Sequence, residues 1–205
     1  MDSIEHVMTS QHCTDAAPAT DGAAACAGGV AGVARDLCLR APERGDGLAL
    51  HRLIRACPPL DVNSAYAYFL LCDHFRATTV LAEGPDGLVG CVTAYLRPDA
   101  PETLFVWQVA VHADARGQGL ARRMLETLAA RPAVRGVRWV ETTISPSNTA
   151  SRRLFASWAA GCQADVNECA YLEAADFAAD GDAAGHEAER LIRIGPLPGG
   201  FRAPL

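Results

Sequence analysis

The stretch Phe105-Val-Trp-Gln-Val-Ala-Val-His-Ala-Asp-Ala-Arg-Gly-Gln-Gly-Leu-Ala-Arg-Arg-Met124 constrains this chain more than any other. Its apolar, β-branched start predicts a strand and a short polar loop follows. Gly117 and Gly119 then open a segment, Gln118 to Ala130, whose Leu120, Met124, Leu125 and Leu128 share one helical face. A helix entered through small residues leaves several main-chain N–H groups unpaired at the positive end of its dipole. That end suits a pyrophosphate. Glycine at 117 and 119 lets phosphate oxygens approach the main chain, and Arg116 adds charge at the rim.

Two other readings compete for this run. One is a glycine-containing turn before an ordinary core helix. The other is a dinucleotide-binding turn, for which Glu141 lies at a suitable distance downstream. Against the latter, Arg122 occupies the third glycine position, and His112-Ala-Asp-Ala115 separates strand from glycine where that fold wants them adjacent.

The surrounding pattern supplies a fold class. Leu37 to Arg40 reads as a short strand, and Leu48, Leu50, Leu53 and Ile54 take helical spacing between Asp46 and Ala56, where Pro58-Pro59 ends the helix. Asn63 or Ser64 caps a second helix that finishes near Phe75. Thr78 to Glu83, Leu88 to Leu96 and Thr103 to Val111 read as consecutive antiparallel strands divided by Gly/Pro/Asp turns. Val137 to Thr143 returns to strand, Ser147 to about Ala160 to helix, and Arg190 to Ile194 closes as a strand after a loop rich in Ala, Asp and Gly. The order predicts one α/β (α+β) domain over 36–198 with a mixed, largely antiparallel sheet flanked by helices. Residues 1 to about 35 lack bulky periodicity and read as a disordered tail, and 199–205 as a short C-terminal tail.

Composition removes several classes of function. The 205-residue chain carries 24 acidic and 18 basic side chains, a formal charge of -6, and no Lys/Arg run to follow a phosphate backbone or an anionic membrane surface. Nucleic acid and membrane partners are not expected, and a cationic metabolite suits the charge. No apolar stretch is long enough to span a bilayer, and the start Met1-Asp2-Ser3-Ile4-Glu5-His6 lacks a secretory leader, which predicts a soluble, cytoplasmic protein. The eight cysteines include no Cys-x-x-Cys and the six histidines form no ligand spacing, so no metal is assigned.

Arg116-Gly-Gln-Gly119-Leu120-Ala121 resembles the Arg-x-x-Gly-x-Ala signature of the GNAT superfamily of N-acetyltransferases, and Glu141-Thr-Thr-Ile-Ser-Pro-Ser-Asn148 followed by a helix resembles its second conserved segment. The resemblance implies acetyl-CoA as co-substrate. It assigns the coenzyme to Val109, Ala110, Val111, Arg116, Gly117, Gln118, Gly119, Leu120 and Ala121, with Asn148 on the pantetheine arm and the Val109 N–H facing the oxyanion. Asn148 also fits a helix cap. Phe155 stands where many members place the tyrosine that protonates the departing thiolate, so another group serves or CoA leaves as thiolate.

A narrower resemblance, to the L-2,4-diaminobutyrate acetyltransferases of ectoine synthesis, rests on four segments. They are Asp61-Val-Asn-Ser-Ala-Tyr66-Ala-Tyr-Phe-Leu-Leu-Cys-Asp-His-Phe75, Leu104-Phe-Val-Trp107-Gln-Val-Ala-Val, Glu141-Thr-Thr and His186-Glu-Ala-Glu189. It implies Asp61, Tyr66, Trp107 and Glu141 as acceptor contacts, Glu189 and His186 as candidate bases with Glu141 in reserve, and a homodimer. Each position has a plainer use: a turn cap for Asp61, core aromatics for Tyr66 and Trp107, a solvated strand-edge charge for Glu189. An acetyltransferase for another amine, or a noncatalytic acyl-CoA sensor, stays open on the sequence.

Overall fold

The computed structural model describes residues 37–180, with backbone alone for 178–180, and 187–201. His186, the tail expected over 1–35 and most of the C-terminal tail lie outside the described residues. The elements run β1 (Cys38–Arg40), α1 (Gly47–Arg55), α2 (Ala65–Asp73), β2 (Val80–Gly84), β3 (Gly87–Arg97), β4 (Ala100–Val111), α3 (Leu120–Ala129), β5 (Trp139–Ile144), α4 (Thr149–Gly161), β6 (Val166–Leu172) and β7 (Glu189–Ile194). They form one seven-stranded sheet of order β1-β2-β3-β4-β5-β7-β6. Only β4 and β5 run parallel; the other pairs are antiparallel. This is the mixed, largely antiparallel sheet that the residue pattern predicts.

Each sheet face buries its own helix pair. Leu50, Leu53 and Ile54 of α1 and Tyr68, Leu71 and Cys72 of α2 pack with Leu81, Cys91 and Ala110. On the opposite face Leu120, Met124, Leu125 and Leu128 of α3 and Phe155 and Trp158 of α4 pack with Val80, Val92, Ala94, Leu104, Val106, Ile192 and Ile194. Strand β6 was absent from the residue pattern for a physical reason: six of its seven residues are exposed, so no in/out alternation marks it.

Two irregularities of β4 position the site. Its ladder to β5 joins only Thr103, Leu104 and Phe105 to Trp139, Val140 and Glu141, while β5 continues along β7 to Ile144, so β4 and β5 part beyond Phe105. In the β3–β4 ladder Thr93 faces Gln108 but Ala94 faces Val106, which makes Trp107 the extra residue of a β-bulge. The bulge inverts the strand's phase. Before it Leu104 and Val106 enter the α3/α4 core; after it Val109 and Val111 pack on that side and Ala110 enters the α1/α2 core.

Candidate active site

Gly117 and Gly119 adopt φ of 75° and 70°, the left-handed region that a Cβ disfavours, and so bend the chain from the β4 loop into α3. No side chain caps α3 at Gly119. Its first N–H groups therefore face outward beside Arg116, whose Nε donates to the Val111 carbonyl at 3.0 Å. Leu120 differs from its neighbours: its side chain is buried in the core, so only its main chain is available to a ligand.

The gap between β4 and β5 opens into a cleft of about 300 Å³ whose lining includes Val109, Ala110, Val111, Arg116, Ala121 and Asn148 together with Cys57, Pro58, Pro59 and Leu60. Strand alternation directs main-chain donors into it. The N–H groups of Gln108 and His112 face β3, where they donate to Thr93 Oγ1 and the Val89 carbonyl. Those of Val109 and Val111 consequently point the other way, into the gap. Asn148 caps α4 by accepting from Ser151 N–H at 3.1 Å, which fixes its carboxamide and leaves its Nδ2 donors for a ligand. Phe155 is 2 % exposed within the α3/α4 core and does not line the cleft.

A second cavity of about 440 Å³ shares Pro59, Leu60 and Asn148 with the first. Asp61, Asn63, Trp107, Gln108, Thr143, Ser145, Ser147, Glu187 and Glu189 are among its walls. Three carboxylates thus converge on one space beside the indole of Trp107, an environment that attracts ammonium groups. Glu187 accepts from Ser147 N–H at 3.1 Å, and hydrogen bonding by Ser147 holds its carboxyl below the usual glutamate range.

The structure brings Asp61, Trp107 and Glu189 together, and leaves two of the expected acceptor contacts elsewhere. Glu141 is 3 % exposed, and its oxygens face Arg97 Nη1 at 2.8 Å and Arg193 Nε at 3.4 Å rather than the cavity. Tyr66 is 70 % exposed and outside the lining, because α2 buries Tyr68, Leu71 and Cys72 and turns position 66 outward. Tyr68 instead accepts from Asn63 N–H at 3.2 Å and props the loop that carries Asp61. Sequence reasoning missed the Cys57–Leu60 wall, where Pro58-Pro59 read only as a helix stop, and missed Gln108 and Glu187. The segment His186-Glu-Ala-Glu189 did contain a signal for Glu187.

The acetyltransferase (GNAT) family model matches residues 48–159. The chain belongs to the GNAT acetyltransferases. Among them, it is 50 % identical over 160 residues to the L-2,4-diaminobutyric acid acetyltransferase of Bordetella parapertussis, covering 78 % of this chain and 84 % of that one. It is 45 % identical over 165 residues to the enzyme of the same name from Halomonas elongata, covering 80 % and 83 %. The structure of the diaminobutyrate acetyltransferase EctA from Paenibacillus lautus, in complex with L-2,4-diaminobutyric acid and coenzyme A, superposes with a TM-score of 0.75 at 44 % identity, covering 80 % of this chain and 96 % of that one. This places the chain in the diaminobutyrate branch of the GNAT enzymes. In this acetyltransferase Cys57 in the cleft wall and the core thiols of Cys72 and Cys91 are poor nucleophiles: burial raises Cys57, takes Cys72 up to about 11 and Cys91 up to about 12.

Proposed function

We propose that this acetyltransferase moves the acetyl group of acetyl-CoA to the N4 amine of L-2,4-diaminobutyrate, giving N4-acetyl-L-2,4-diaminobutyrate and CoA in ectoine synthesis. The observation that carries the reading is the meeting of the two cavities at Pro59, Leu60 and Asn148, one beside the glycine turn and one bearing Asp61, Glu187 and Glu189. An acyl donor in the first reaches an amine held in the second. The identity to diaminobutyrate enzymes supports that acceptor over other amines.

Gly117, Gln118, Gly119, Ala121 and Arg116 grip the pyrophosphate, and the pantetheine arm lies in the β4/β5 gap against Val109, Ala110, Val111 and Asn148. Asp61 and Trp107 hold the acceptor. The reacting ammonium gives a proton to Glu189, directly or through one water, with His186 the second candidate. The freed nitrogen attacks the thioester carbonyl, and the Val109 N–H stabilises the oxyanion. The C–S bond then breaks, the nitrogen sheds its second proton to solvent to become the neutral amide, and CoA leaves as thiolate, which a thiol pKa of about 8.5 permits without an acid at Phe155.

The free thiols of Cys38, Cys57, Cys72, Cys91 and Cys169 suit a reducing cytoplasm. A homodimer is supported by the aromatic strip Phe75–Tyr95–Phe105, with ring centroids 6.0 and 5.3 Å apart, and by the nearby exposed Tyr171.

Following thiol release from acetyl-CoA over a panel of diamines tests the reading. Turnover is expected with 2,4-diaminobutyrate and little with ornithine, whose extra methylene misplaces the amine; equal rates across the panel defeat the assignment. Glu189→Gln is expected to lower kcat about 100-fold and to remove the acidic limb of the pH–rate profile. An unaltered profile excludes it as the base.

A further inference from the structure

Gln108 is buried to 5 % exposure, yet only half of its carboxamide is satisfied. Its Nε2 donates to the Asp61 carbonyl at 2.9 Å, a partner that only accepts, so the orientation of the amide is settled by chemistry. Oε1 therefore faces the other way, and no described residue donates to it. A buried polar atom without a partner is destabilising, so its retention in a cavity wall needs a reason.

The bulge supplies the geometry. Continued alternation from Leu104 and Val106 would send position 108 into the apolar core under α3 and α4. The extra residue at Trp107 re-aims it to the opposite face, where Gln108 lines the same cavity as Asp61, Trp107 and Glu189. Thr93, itself fully buried, takes the Gln108 N–H that the bulge displaces. The strand is thus bent so as to set this carboxamide, its Oε1 buried and unpartnered, in the wall of a cavity that holds three carboxylates.

We propose that Gln108 is a specificity-determining contact whose Oε1 accepts a hydrogen bond from an ammonium group of the acceptor, while its Nε2 ties the Asp61 loop to β4. The inference rests on the diaminobutyrate reading above. A carboxamide suits a doubly aminated guest: it receives an N–H without adding another negative charge to a site that already holds three.

The test compares Gln108→Met and Gln108→Glu with the unaltered enzyme in initial-rate kinetics on both substrates. Gln108→Met removes the acceptor oxygen and is expected to raise the KM for diaminobutyrate about tenfold or more, leaving the KM for acetyl-CoA within about twofold. Gln108→Glu keeps an acceptor oxygen but not the donor to Asp61, so it is expected to retain more diaminobutyrate affinity than Gln108→Met. Equal rises in both KM values indicate a tether alone, through the shared Pro59–Leu60 wall, and overturn the proposal, as does an unchanged diaminobutyrate KM. Should the variants fold poorly, a crystal structure of the unaltered protein with CoA and diaminobutyrate decides: an ammonium nitrogen within about 3.2 Å of Oε1 supports the contact, and a protein donor there overturns it. Failure of the unaltered protein to acetylate diaminobutyrate defeats the substrate reading and this contact with it. Normal turnover with unchanged Gln108→Met kinetics defeats the contact alone.

Discussion

Gly119 carries two requirements in one residue: a φ of 70° and an uncapped helix start open to a phosphate. No atom lies within 4 Å of the place its Cβ would take, so Gly119→Ala meets no clash and its structural cost is conformational, about 1–2 kcal/mol. A fall of about 2–8 °C in Tm is expected by thermal denaturation. The added methyl also stands where phosphate oxygens approach the main chain, so the KM for acetyl-CoA should rise about tenfold while that for the acceptor holds. An unchanged acetyl-CoA KM would remove Gly119 from the coenzyme site. Gly117 has the same φ sign, and the motif was legible because left-handed backbone leaves a mark in residue type. Gln108 left no such mark, since its role depends on a bulge whose extra residue looks like any other in the run Phe105–Val111.

At the level of elements, β1 is only three residues long and is held by one arginine. Arg40 Nη1 and Nη2 donate to the two oxygens of Asp46, just before α1, at 2.7 and 2.9 Å, and its Nε donates to Glu83 on β2 at 2.6 Å. The fork joins sheet edge to helix start and, with the Glu43 N–H, holds the Asp46 carboxyl below its ordinary value. A lowered folded-state pKa means that this stabilisation is complete above the ordinary value of 3.8 and is lost as pH falls through the lower one. Asp46→Asn is therefore expected to lose about 1 kcal/mol at neutral pH, discounted for partial exposure, and to converge with the parent protein in acid. Urea denaturation of both proteins across acidic pH checks this; a difference independent of pH would assign the effect to packing instead.

Across the whole molecule, helices cover both faces of the strands from β2 to β5 but leave aromatic surface at Phe75 and Tyr171, 38 % and 55 % exposed. Light scattering after size exclusion should give the mass of two chains, and Tyr171→Glu should shift it toward one by placing a charge in the patch that a dimer would cover. A monomer at micromolar concentration would exclude the dimer.

Residue type alone determined the helices, six of the seven strands and the glycine turn, because each depends on contacts within a few neighbours in the chain: side-chain period, capping chemistry, backbone freedom at glycine. The resemblance to the diaminobutyrate enzymes, carried by four segments of the chain, brought Asp61, Trp107 and Glu189 forward as a group. Tertiary structure decided what the second cavity contains. The turn of α2 swung Tyr66 outward, Arg97 and Arg193 drew Glu141 away, and the bulge at Trp107 brought Gln108 in. Those outcomes depend on strand register and on partners 44 to 52 positions away, as Arg97 and Arg193 are from Glu141, which no local pattern encodes.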